Sequence, residues 1–395
     1  MPLKQRAEKS ATFARHMTAK KLHLQQLTLV NFKNYVEAEL SFSPQVNCFV
    51  GNNGEGKTNL LDAIYYLSFC KSYFNPIDSQ NIRHNEAFLL IQGNFEKGEQ
   101  HEKIHCGIKR GQKKQFRRNK KEYTRLADHI GLLPLVMVSP ADINLVYEGS
   151  EVRRKFIDGV VSQFNKAYLD DLLQYIRVLS HRNALLKQFA QQRMFDATSL
   201  ELWDMQLDEF GSRIYQHRKA FLNDFIPLFR EHYTKLSEGR EVPDLEYQSK
   251  LAGASLLELL EQAREKDRVV QYTTVGIHKD DLVFRLGDYP IKKFGSQGQQ
   301  KSYLIALKLA QYDYIRQQKE TTPLLLLDDI FDKLDAHRVK ALMNRVSSGS
   351  FGQIFITDTD RERLDRLFAD IDIDCRIFNI VEGQAQHQTA ENHGA

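Results

Sequence analysis

An eight-residue stretch, GNNGEGKT from Gly51 to Thr58, constrains the fold of this chain more than any other. It follows the apolar segment QVNCFV and precedes a helix that we predict from Lys57 to about Phe69. Ordering glycine costs conformational entropy, so three glycines before a rigid helix need a reason other than local stability. The spacing fits a phosphate-binding loop, which requires a strand before it and a helix after it. A chance glycine-rich turn is the alternative interpretation.

Such a loop binds a triphosphate through its backbone N–H groups, aided by the positive end of the helix that follows. In that chemistry Lys57 contacts the β- and γ-phosphates of ATP, and Thr58 holds Mg²⁺. The predicted cofactors are therefore ATP and Mg²⁺. The predicted nucleotide-binding residues of the loop are Gly51, Asn52, Asn53, Gly54, Glu55, Gly56, Lys57 and Thr58.

Two aspartates end the most apolar strand predicted in the chain. The segment from Leu324 to Leu327 is all leucine and leads into Asp328 and Asp329, which is typical of a central strand covered on both faces. We predict that Asp328 binds Mg²⁺ through water, and that Asp329 positions the water that attacks the γ-phosphate. A strand end with a solvated acidic turn is the simpler alternative. The predicted catalytic residues are Lys57, Asp328 and Asp329, and the predicted metal ligands are Thr58 and Asp328.

A third motif, FGSQGQQK, starts at Phe294, shortly before the acidic pair, and precedes a long helix predicted at 298–317. It resembles the signature motif of the ABC ATPase superfamily, although Gln297 stands where that motif commonly has glycine. The resemblance implies a contact with the γ-phosphate of ATP held by another subunit. The order and spacing of the three motifs favour this interpretation over a plain helix cap. The residues implied in the contact are Ser296, Gly298 and Gln299.

Two further positions belong to the same predicted site. Asp335, which follows the acidic pair, resembles the D-loop that lines the shared interface of these ATPases. After the next predicted strand, Thr357 stands near the place of the usual switch histidine. We predict that Thr357 senses the γ-phosphate instead. The missing histidine argues against an ordinary transporter ATPase.

Composition narrows the class of protein. No apolar run reaches the ~20 residues that span a bilayer, and the N-terminus lacks the apolar core of a secretory signal, so we predict a cytoplasmic location. The four cysteines have no CxxC spacing, which argues against a zinc site and against a disulfide framework. The formal net charge of +4 permits a nucleic-acid partner without requiring one.

Strand patterns occupy both ends of the chain, and helical patterns occupy the middle. The middle shows no sustained heptads, so it does not form a long coiled coil. These patterns predict an α/β head with a helical insertion, and the resemblance to ABC ATPases implies an ABC-type P-loop ATPase head, with a mixed sheet and helices, and an inserted helical arm or lid. The predicted segments are a flexible leader (1–20), the N-terminal part of the head (21–150), the arm (151–266), the C-terminal part of the head (267–381) and a disordered tail (382–395).

Six segments in one order resemble the bacterial RecF family of recombinational DNA-repair ATPases, over roughly residues 21–375. The family typically has arginine where Lys33 and Lys279 stand, and proline at Ile277. The leader before Lys21 is additional to the family pattern. The six segments are NFKNY, GNNGEGKTNLLDAI, SPADINLVYEGSEVRRKFID, GIHKDDL, GSQGQQKS and LLLLDDIFDKLD.

The resemblance implies an ATP-dependent clamp on double-stranded DNA. ATP would join two copies of the chain into a homodimer that holds duplex DNA near single-strand gaps and single-strand/double-strand junctions. Slow, DNA-stimulated hydrolysis would release it. The family also implies a role in recombinational repair and replication-fork maintenance, with the RecR and RecO mediator proteins as partners that help load recombinase. The alternatives are the nucleotide-binding subunit of an ABC transporter and another SMC-like head.

A basic segment, KRGQKKQFRRNKK from Lys109 to Lys121, is the predicted DNA contact. A basic hairpin neutralises phosphates and makes binding salt-dependent, whereas a solvated hairpin tip is the alternative. The predicted DNA-binding residues are Lys113, Lys114, Arg117 and Arg118.

Four other residues are interpreted as structural. Arg153 and Arg154 begin the arm, and we favour pairing with acids over DNA contact for both. We predict that His278 is hydrogen-bonded inside the fold rather than a ligand or a base. Trp203, the one tryptophan, lies on an apolar helical stripe and is predicted to be core.

Overall fold

Strands and helices occupy the segments in which the sequence changes its periodicity. The computed structural model describes residues 19–239, 241–331, 339, 343, 345–346, 348–369, 371 and 373–388. The strands are β1 (Leu22–Phe32), β2 (Tyr35–Ser41), β3 (Val46–Val50), β4 (Phe88–Lys97), β5 (Gln100–Lys109), β6 (Gln115–Arg118), β7 (Lys121–Glu122), β8 (Leu135–Val138), β9 (Pro243–Gln248), β10 (Asp281–Leu286), β11 (Tyr289–Pro290), β12 (Leu324–Asp328), β13 (Ile354–Asp358), β14 (Cys375–Val381) and β15 (Gln384–Gln388). The helices are α1 (Lys57–Phe69), α2 (Asn144–Tyr147), α3 (Ser150–Val161), α4 (Lys166–Gln192), α5 (Ala197–Ser237), α6 (Leu256–Val270), α7 (Ile291–Phe294), α8 (Gln297–Lys319) and α9 (Arg361–Phe368).

The described residues form two compact units. Those of Met1–Ala141 and Gln311–Ala395 form the first unit, and those of Asp142–Ala310 form the second. The second unit is broader than the predicted arm at 151–266, because it also contains β10 and β11, which form a three-stranded sheet with β9. Apart from the tail, discussed below, the predicted domain boundaries stay predictions.

The first unit contains two six-stranded sheets, ordered β2-β1-β4-β5-β6-β7 and β15-β14-β3-β13-β12-β8. In the second of these, β8, β12, β13, β3 and β14 run parallel, and β15 is an antiparallel edge strand. All residues of β3, β12 and β13 are buried. Strands covered on both faces have continuous apolar runs, which explains the LLLL and IFI segments.

Helix α1 lies in the core between strands of both sheets. Its apolar residues join one buried cluster with the inward-facing side chains of β1, β4 and β5 and with residues of β3, β12 and β13. Leu60, Leu61 and Ile64 have no exposed surface. Because α1 begins directly at Lys57, this packing holds the end of the glycine-rich loop against a rigid core.

The second unit is built on the antiparallel pair α4 and α5. Asn165 caps α4 by accepting a bond from the Tyr168 N–H, and Asp196 caps α5 by accepting one from the Thr198 N–H. Side-chain caps of this kind satisfy N–H groups that a helix start leaves unpaired. The Arg193 C-cap takes a left-handed conformation, so α4 ends there and the chain reverses within a few residues.

Buried arginines hold this unit together. All three guanidinium nitrogens of Arg218 donate hydrogen bonds, to the Tyr168 hydroxyl, the Ile277 carbonyl and the carboxylates of Asp158 and Asp280. Arg218 has 1% of its side chain exposed. These contacts join α3, α4 and α5 to the GIHKDDL segment. That segment is therefore structural in this unit.

The structural roles predicted for Arg153 and His278 are confirmed, whereas Arg154 bonds a hydroxyl and a backbone carbonyl and pairs with no acidic side chain among the described residues. Arg153 donates to both oxygens of Asp281 at 2.7 and 2.9 Å, and Arg154 donates to the Asp280 carbonyl at 2.6 Å. The His278 ring lies 2.8 Å from the Tyr175 hydroxyl and 3.1 Å from the Thr273 carbonyl.

Two other expectations are wrong. Residues 384–388, predicted to be disordered tail, form β15 beside β14, because the VEGQ sequence makes a two-residue hairpin turn. Trp203 is half-buried rather than core, since its ring stacks on His181 with centroids 5.1 Å apart. The predicted leader, except its last two residues, and the end of the tail lie outside the described residues.

The state of the cysteines and the hydropathy of the helices match what the sequence predicts. All four cysteines are free thiols, so the prediction of no disulfide framework is confirmed. The thiols of Cys48 and Cys375 lie 3.9 Å apart on neighbouring strands. Among the residues described, no helix combines the length and the apolar character needed to cross a membrane.

Candidate nucleotide-binding site

The glycine-rich loop joins the buried strand β3 to α1 at the carboxyl end of the parallel sheet. This edge of a parallel sheet is where α/β proteins bind ligands. Gly54 and Gly56 have φ values of 87° and 110°, which side chains other than glycine rarely adopt. A Cβ on Gly56 would also lie 2.3 Å from the Asn34 amide nitrogen. Glycine is thus required at position 56 for two independent reasons.

The loop leaves backbone donors free. In the described part of the chain, the N–H groups of Asn53, Gly54 and Gly56 donate no hydrogen bond. The carbonyl of Gly56 instead accepts bonds from the Tyr35 hydroxyl at 3.0 Å and from the Asn59 N–H at 3.0 Å. Free donors at the start of a helix form a binding surface for an anion such as a phosphate.

Lys57 is a buried cation that has no direct contact with a carboxylate of the described residues. Its Nζ donates to the carbonyls of Gly51 and Asn52, both at 2.7 Å, and its exposed fraction is 7%. Burial lowers the pKa of Lys57, and the nearby Asp329 and Asp328 carboxylates oppose that shift. The ammonium group therefore lies where a phosphate oxygen would relieve its desolvation.

Asp328 brings three of the predicted residues together. Its Oδ1 accepts hydrogen bonds from Thr58 Oγ1 at 2.7 Å and from Thr357 Oγ1 at 2.9 Å. The contact is possible because β12 pairs with β13, with Asp328 opposite Thr357. Burial raises the pKa of Asp328, and the two hydroxyl donors oppose the shift.

Asp329 has an unpaired oxygen beside this cluster. Its φ is 48°, a conformation that a non-glycine residue adopts at some energetic cost, and its N–H donates to Thr357 Oγ1 at 2.9 Å. Its Oδ1 is buried and has no hydrogen-bond partner among the described residues. An orphaned carboxylate oxygen at a ligand-binding edge suits a water molecule or a cation.

The donor set fits Mg²⁺. The Thr58 hydroxyl and the Asp328 carboxylate are oxygen ligands, which Mg²⁺ prefers, and Mg²⁺ usually completes its shell with water and phosphate oxygens. No group of three His, Cys, Asp or Glu side chains that would hold a metal by itself occurs within the described residues.

The predicted signature residues lie in the second unit, at the start of α8. The Ser296 hydroxyl accepts a bond from the Gln299 N–H at 3.2 Å, and the Gln299 side-chain oxygen accepts one from the Ser296 N–H at 2.6 Å. This is a capping box. Ser296 is exposed and Gly298 is half-buried. The alternative of a helix cap and the predicted signature thus describe the same residues.

Comparisons with known proteins identify the family. The family model of the RecF/RecN/SMC N-terminal domain matches residues 23–373. A DNA replication and repair protein RecF from Phocaeicola vulgatus is 51% identical over 363 residues, 91% of this chain and 97% of that protein. Its counterpart from Flavobacterium johnsoniae is 50% identical over 359 residues, which cover 91% of this chain and 100% of the relative.

The chain belongs to the RecF family.

Solved structures agree with this assignment to the RecF family. The structure of the recombination mediator protein RecF bound to ATP, in the RecFOR pathway, superposes with a TM-score of 0.85 at 28% identity, covering 93% of this chain and 98% of that one. An Smc head domain from Pyrococcus furiosus superposes with a TM-score of 0.54 at 18% identity, covering 93% and 96%, and shows likeness of fold alone. The predicted resemblance and the predicted α/β ATPase-head fold are confirmed.

The basic hairpin of this RecF-family chain does not present all four predicted DNA-binding cations. Lys114 is an ion-pair partner of Asp78 at 2.8 Å and donates to the Cys70 carbonyl at 2.6 Å. Arg118 forms a two-pronged ion pair with Glu102. Both cations therefore have structural partners.

The other cations of this hairpin are more accessible. Arg117 donates to the Gln115 side chain at 3.0 Å and lies 3.8 Å from Glu122. Lys113 is exposed. Phe116, the aromatic residue of the segment, is buried in the first sheet's core and is not available for stacking on bases.

Sequence reasoning missed several residues that contact the loop of this family member. Asn34 donates to the Glu55 carbonyl at 2.8 Å, and Gly383 donates to the same carbonyl at 3.1 Å. The NFKNY segment signalled Asn34 and Tyr35 only through family resemblance. The VEGQ turn, with its glycine between two strand-like segments, was a usable signal for Gly383. The predicted D-loop residue Asp335 lies outside the described residues.

Proposed function

We propose that this chain is an ATP-dependent DNA clamp of recombinational DNA repair and replication-fork maintenance. The observation that carries the proposal is the cluster at the sheet edge, where Lys57, Thr58, Asp328 and Thr357 surround free loop amides. The relatives named above are DNA replication and repair proteins, and one solved relative is a RecF–ATP structure. Binding and hydrolysis of ATP are the activity that this cluster supports.

On binding the triphosphate, the loop would replace contacts within the protein by contacts with phosphate oxygens. The free amides of the loop donate to phosphate oxygens, and Lys57 leaves the carbonyls of Gly51 and Asn52 for the β- and γ-phosphates. Thr58 and Asp328 would hold Mg²⁺, which neutralises charge on those phosphates. Thr357, hydrogen-bonded to Asp328, lies within the same network and would register the γ-phosphate.

Asp329 would orient the attacking water. Its Oδ1 has the free acceptor capacity that this role needs, and its backbone N–H is held by Thr357. A carboxylate positioned in this way accepts a proton from water as the water attacks phosphorus. The hydrolysis that we propose is slow and DNA-stimulated, as suits a switch.

A second copy of the chain would complete the site. Exposed Ser296, with Gly298 and Gln299, begins an α-helix of 23 residues, whose positive end favours an anion. The γ-phosphate held by one copy would meet this helix start in its mate. Because ATP but not ADP carries that phosphate, the nucleotide state would decide whether the homodimer persists. The closed dimer would hold duplex DNA near single-strand gaps and junctions, and the RecR and RecO mediator proteins are the proposed partners.

Sedimentation with and without ATP tests the shared site. Wild-type protein should form dimers with ATP, Lys57→Met should not, and Ser296→Arg should bind ATP as a monomer without dimerising. Ser255→Arg is a matched control, because Ser255 is an exposed N-cap in a capping box with Glu258 on α6. Normal ATP-dependent dimers of Ser296→Arg would contradict the proposal.

The DNA contact is tested at the exposed lysines. Lys113, Lys120 and Lys121 are exposed and have no ion pair in the described part of the chain. Changing all three to glutamine should weaken duplex DNA binding and reduce the slope of log affinity against log salt by about 2–3. Lys114→Gln, which removes a paired lysine, should reduce stability and change the slope by less than about 1. An unchanged slope in the triple variant would show that these lysines do not contact DNA and would support the alternative of a solvated hairpin tip.

A further inference from the structure

The turn between β14 and β15 contacts the phosphate loop. Val381 pairs with Gln384, which leaves Glu382 and Gly383 as a two-residue hairpin turn with φ values of 49° and 73°. Positive φ at both positions is the type I′ geometry that matches strand twist. The Gly383 N–H donates to the Glu55 carbonyl at 3.1 Å, and the Glu382 N–H donates to the Glu55 carboxylate. Both turn amides are thus directed at one loop residue.

Asn34 supports the same loop residue. Its Nδ2 donates to the Glu55 carbonyl at 2.8 Å, and its Oδ1 accepts from Asn59 Nδ2 at 2.7 Å. The Glu55 carbonyl oxygen therefore accepts two hydrogen bonds, one from each support. Asn59 lies on α1, so Asn34 also ties the loop to the helix that follows it.

Because the Glu55 carbonyl is held in place, the direction of the Gly56 N–H is also determined. The peptide group is planar and trans, so the carbonyl of Glu55 and the N–H of Gly56 point in opposite directions. The carbonyl is held on the side of the C-terminal turn. The Gly56 N–H must then point away from it, and it is one of the loop amides with no acceptor among the described residues.

The contact leaves little room for displacement. A Cβ on Gly383 would lie 2.7 Å from the Asn34 carbonyl oxygen, and a Cβ on Gly56 would lie 2.3 Å from the Asn34 side chain. Distances below 3.0 Å force backbone or side chains to move. Turn, Asn34 and loop are therefore packed at the closest approach that glycine allows.

We propose that Glu382, Gly383 and Asn34 are positioning residues for ATP: they hold the Glu55 peptide so that the Gly56 amide faces the triphosphate. The inference rests on the proposed function of the loop as an ATP site. The turn does not touch the phosphates. It lowers the cost of ordering the loop on binding, because the loop amides are already oriented before ATP arrives.

Two glycine substitutions test the proposal. Gly383→Ala places a methyl group against Asn34 and should weaken ATP affinity by roughly tenfold or more. Gly111→Ala is the matched control, because Gly111 has φ 72° in another hairpin turn and a Cβ there meets nothing within 4 Å. It should have a similar loss of stability and an ATP affinity within about twofold of wild type. Equal ATP affinities in the two variants would overturn the proposal.

A further variant separates positioning from folding. Asn34→Ala removes one support and should raise KM for ATP more than it lowers kcat. If Gly383→Ala does not fold, an unchanged KM in Asn34→Ala overturns the proposal. If wild type binds ATP no better than Lys57→Met, the proposed function of the loop fails first. Binding by wild type with no effect at position 383 refutes the positioning role alone.

Discussion

Two buried cations, Lys57 in the first unit and Arg218 in the second, are treated in opposite ways by their surroundings. Arg218 contacts two carboxylates, a phenol and a carbonyl. Burial on its own would lower its pKa, but the phenol and carboxylate groups around it, led by Tyr168 and Asp158, outweigh burial, and the pKa is raised. Among the described residues Lys57 donates hydrogen bonds to two carbonyls and to no carboxylate, and burial lowers its pKa.

The difference separates a structural charge from a binding charge. A buried cation that only holds a fold needs its full set of partners, because an uncompensated charge in the interior is costly. A cation that binds a ligand must keep part of its interaction capacity unused. Asp329, with its orphaned Oδ1, has the same character as Lys57. Polar groups with unused hydrogen-bonding or charge-pairing capacity at the sheet edge therefore distinguish the candidate site from the structural ion pairs.

The largest expected effect concerns Arg218. Arg218→Met leaves Asp158 and Asp280 without their counter-charge and should lower the free energy of unfolding by about 3–5 kcal/mol. Arg213→Met is the control on the same helix, because Arg213 is 44% exposed and its ion pairs should contribute at most about 1 kcal/mol. Urea unfolding measures both. If Lys57→Met destabilises the protein as much as Arg218→Met, the comparison between the two cations is wrong.

A smaller effect is expected for the orphaned carboxylate. Asp329→Asn should reduce kcat for ATP hydrolysis by at least about hundredfold, because the amide cannot accept the proton of the attacking water. ATP binding and unfolding free energy should stay close to wild type, since Oδ1 makes no hydrogen bond within the described residues. Single-turnover hydrolysis and nucleotide binding are the measurements. A variant with normal turnover would remove Asp329 from the mechanism.

The smallest effect is a pH dependence shared by both units. Burial lowers the pKa of His129 in the first unit and of His278 in the second, each to about 4. Unfolded histidine gains a proton below about pH 6.5, whereas the folded rings stay neutral until about pH 4. Stability present above pH 6.5 is therefore lost as the pH falls toward 4. Between pH 7 and 5 the loss should be about 2 kcal/mol for each ring.

His129→Phe checks that pH dependence in the first unit. His129 packs against Phe116, with ring centroids 4.8 Å apart, so a phenyl ring fits the surrounding apolar contacts. Urea unfolding between pH 5 and 7 should give a shallower slope than wild type. The same slope as wild type would show that His129 is not the source. His278 would keep the variant partly pH-sensitive.

Much of the fold follows from residue patterns. The LLLL run before Asp328 predicted a central strand, since only a strand covered on both faces contains four successive leucines in a sheet. The glycine spacing predicted the strand-loop-helix unit, because φ values such as those of Gly54 and Gly56 exclude most other residues. Local sequence patterns of this kind can be recognised without knowledge of the tertiary contacts.

The ion-pair partners of the hairpin cations could not be predicted from the sequence. Four cations of the basic hairpin were predicted to contact DNA in the same way. Two of them, Lys114 and Arg118, instead pair with acids at distant positions, Asp78 and Glu102. Such partners cannot be assigned from one sequence, because sheet register decides which side chains meet. The strand after Gly383 was missed for a related reason. Polar edge strands resemble disordered segments until a neighbouring strand is known.

The hairpin turn that holds Glu55 has a consequence for synthesis of the protein. Glu382 contacts a loop 327 positions earlier in the chain, and β3 lies between β13 and β14, which are translated long after it. A nascent polypeptide therefore exposes its GNNGEGKT segment before any of these neighbours has left the ribosome. If the loop binds ATP as proposed, binding would have to wait until β14 and the turn after it have emerged, and products truncated before that turn would lack it.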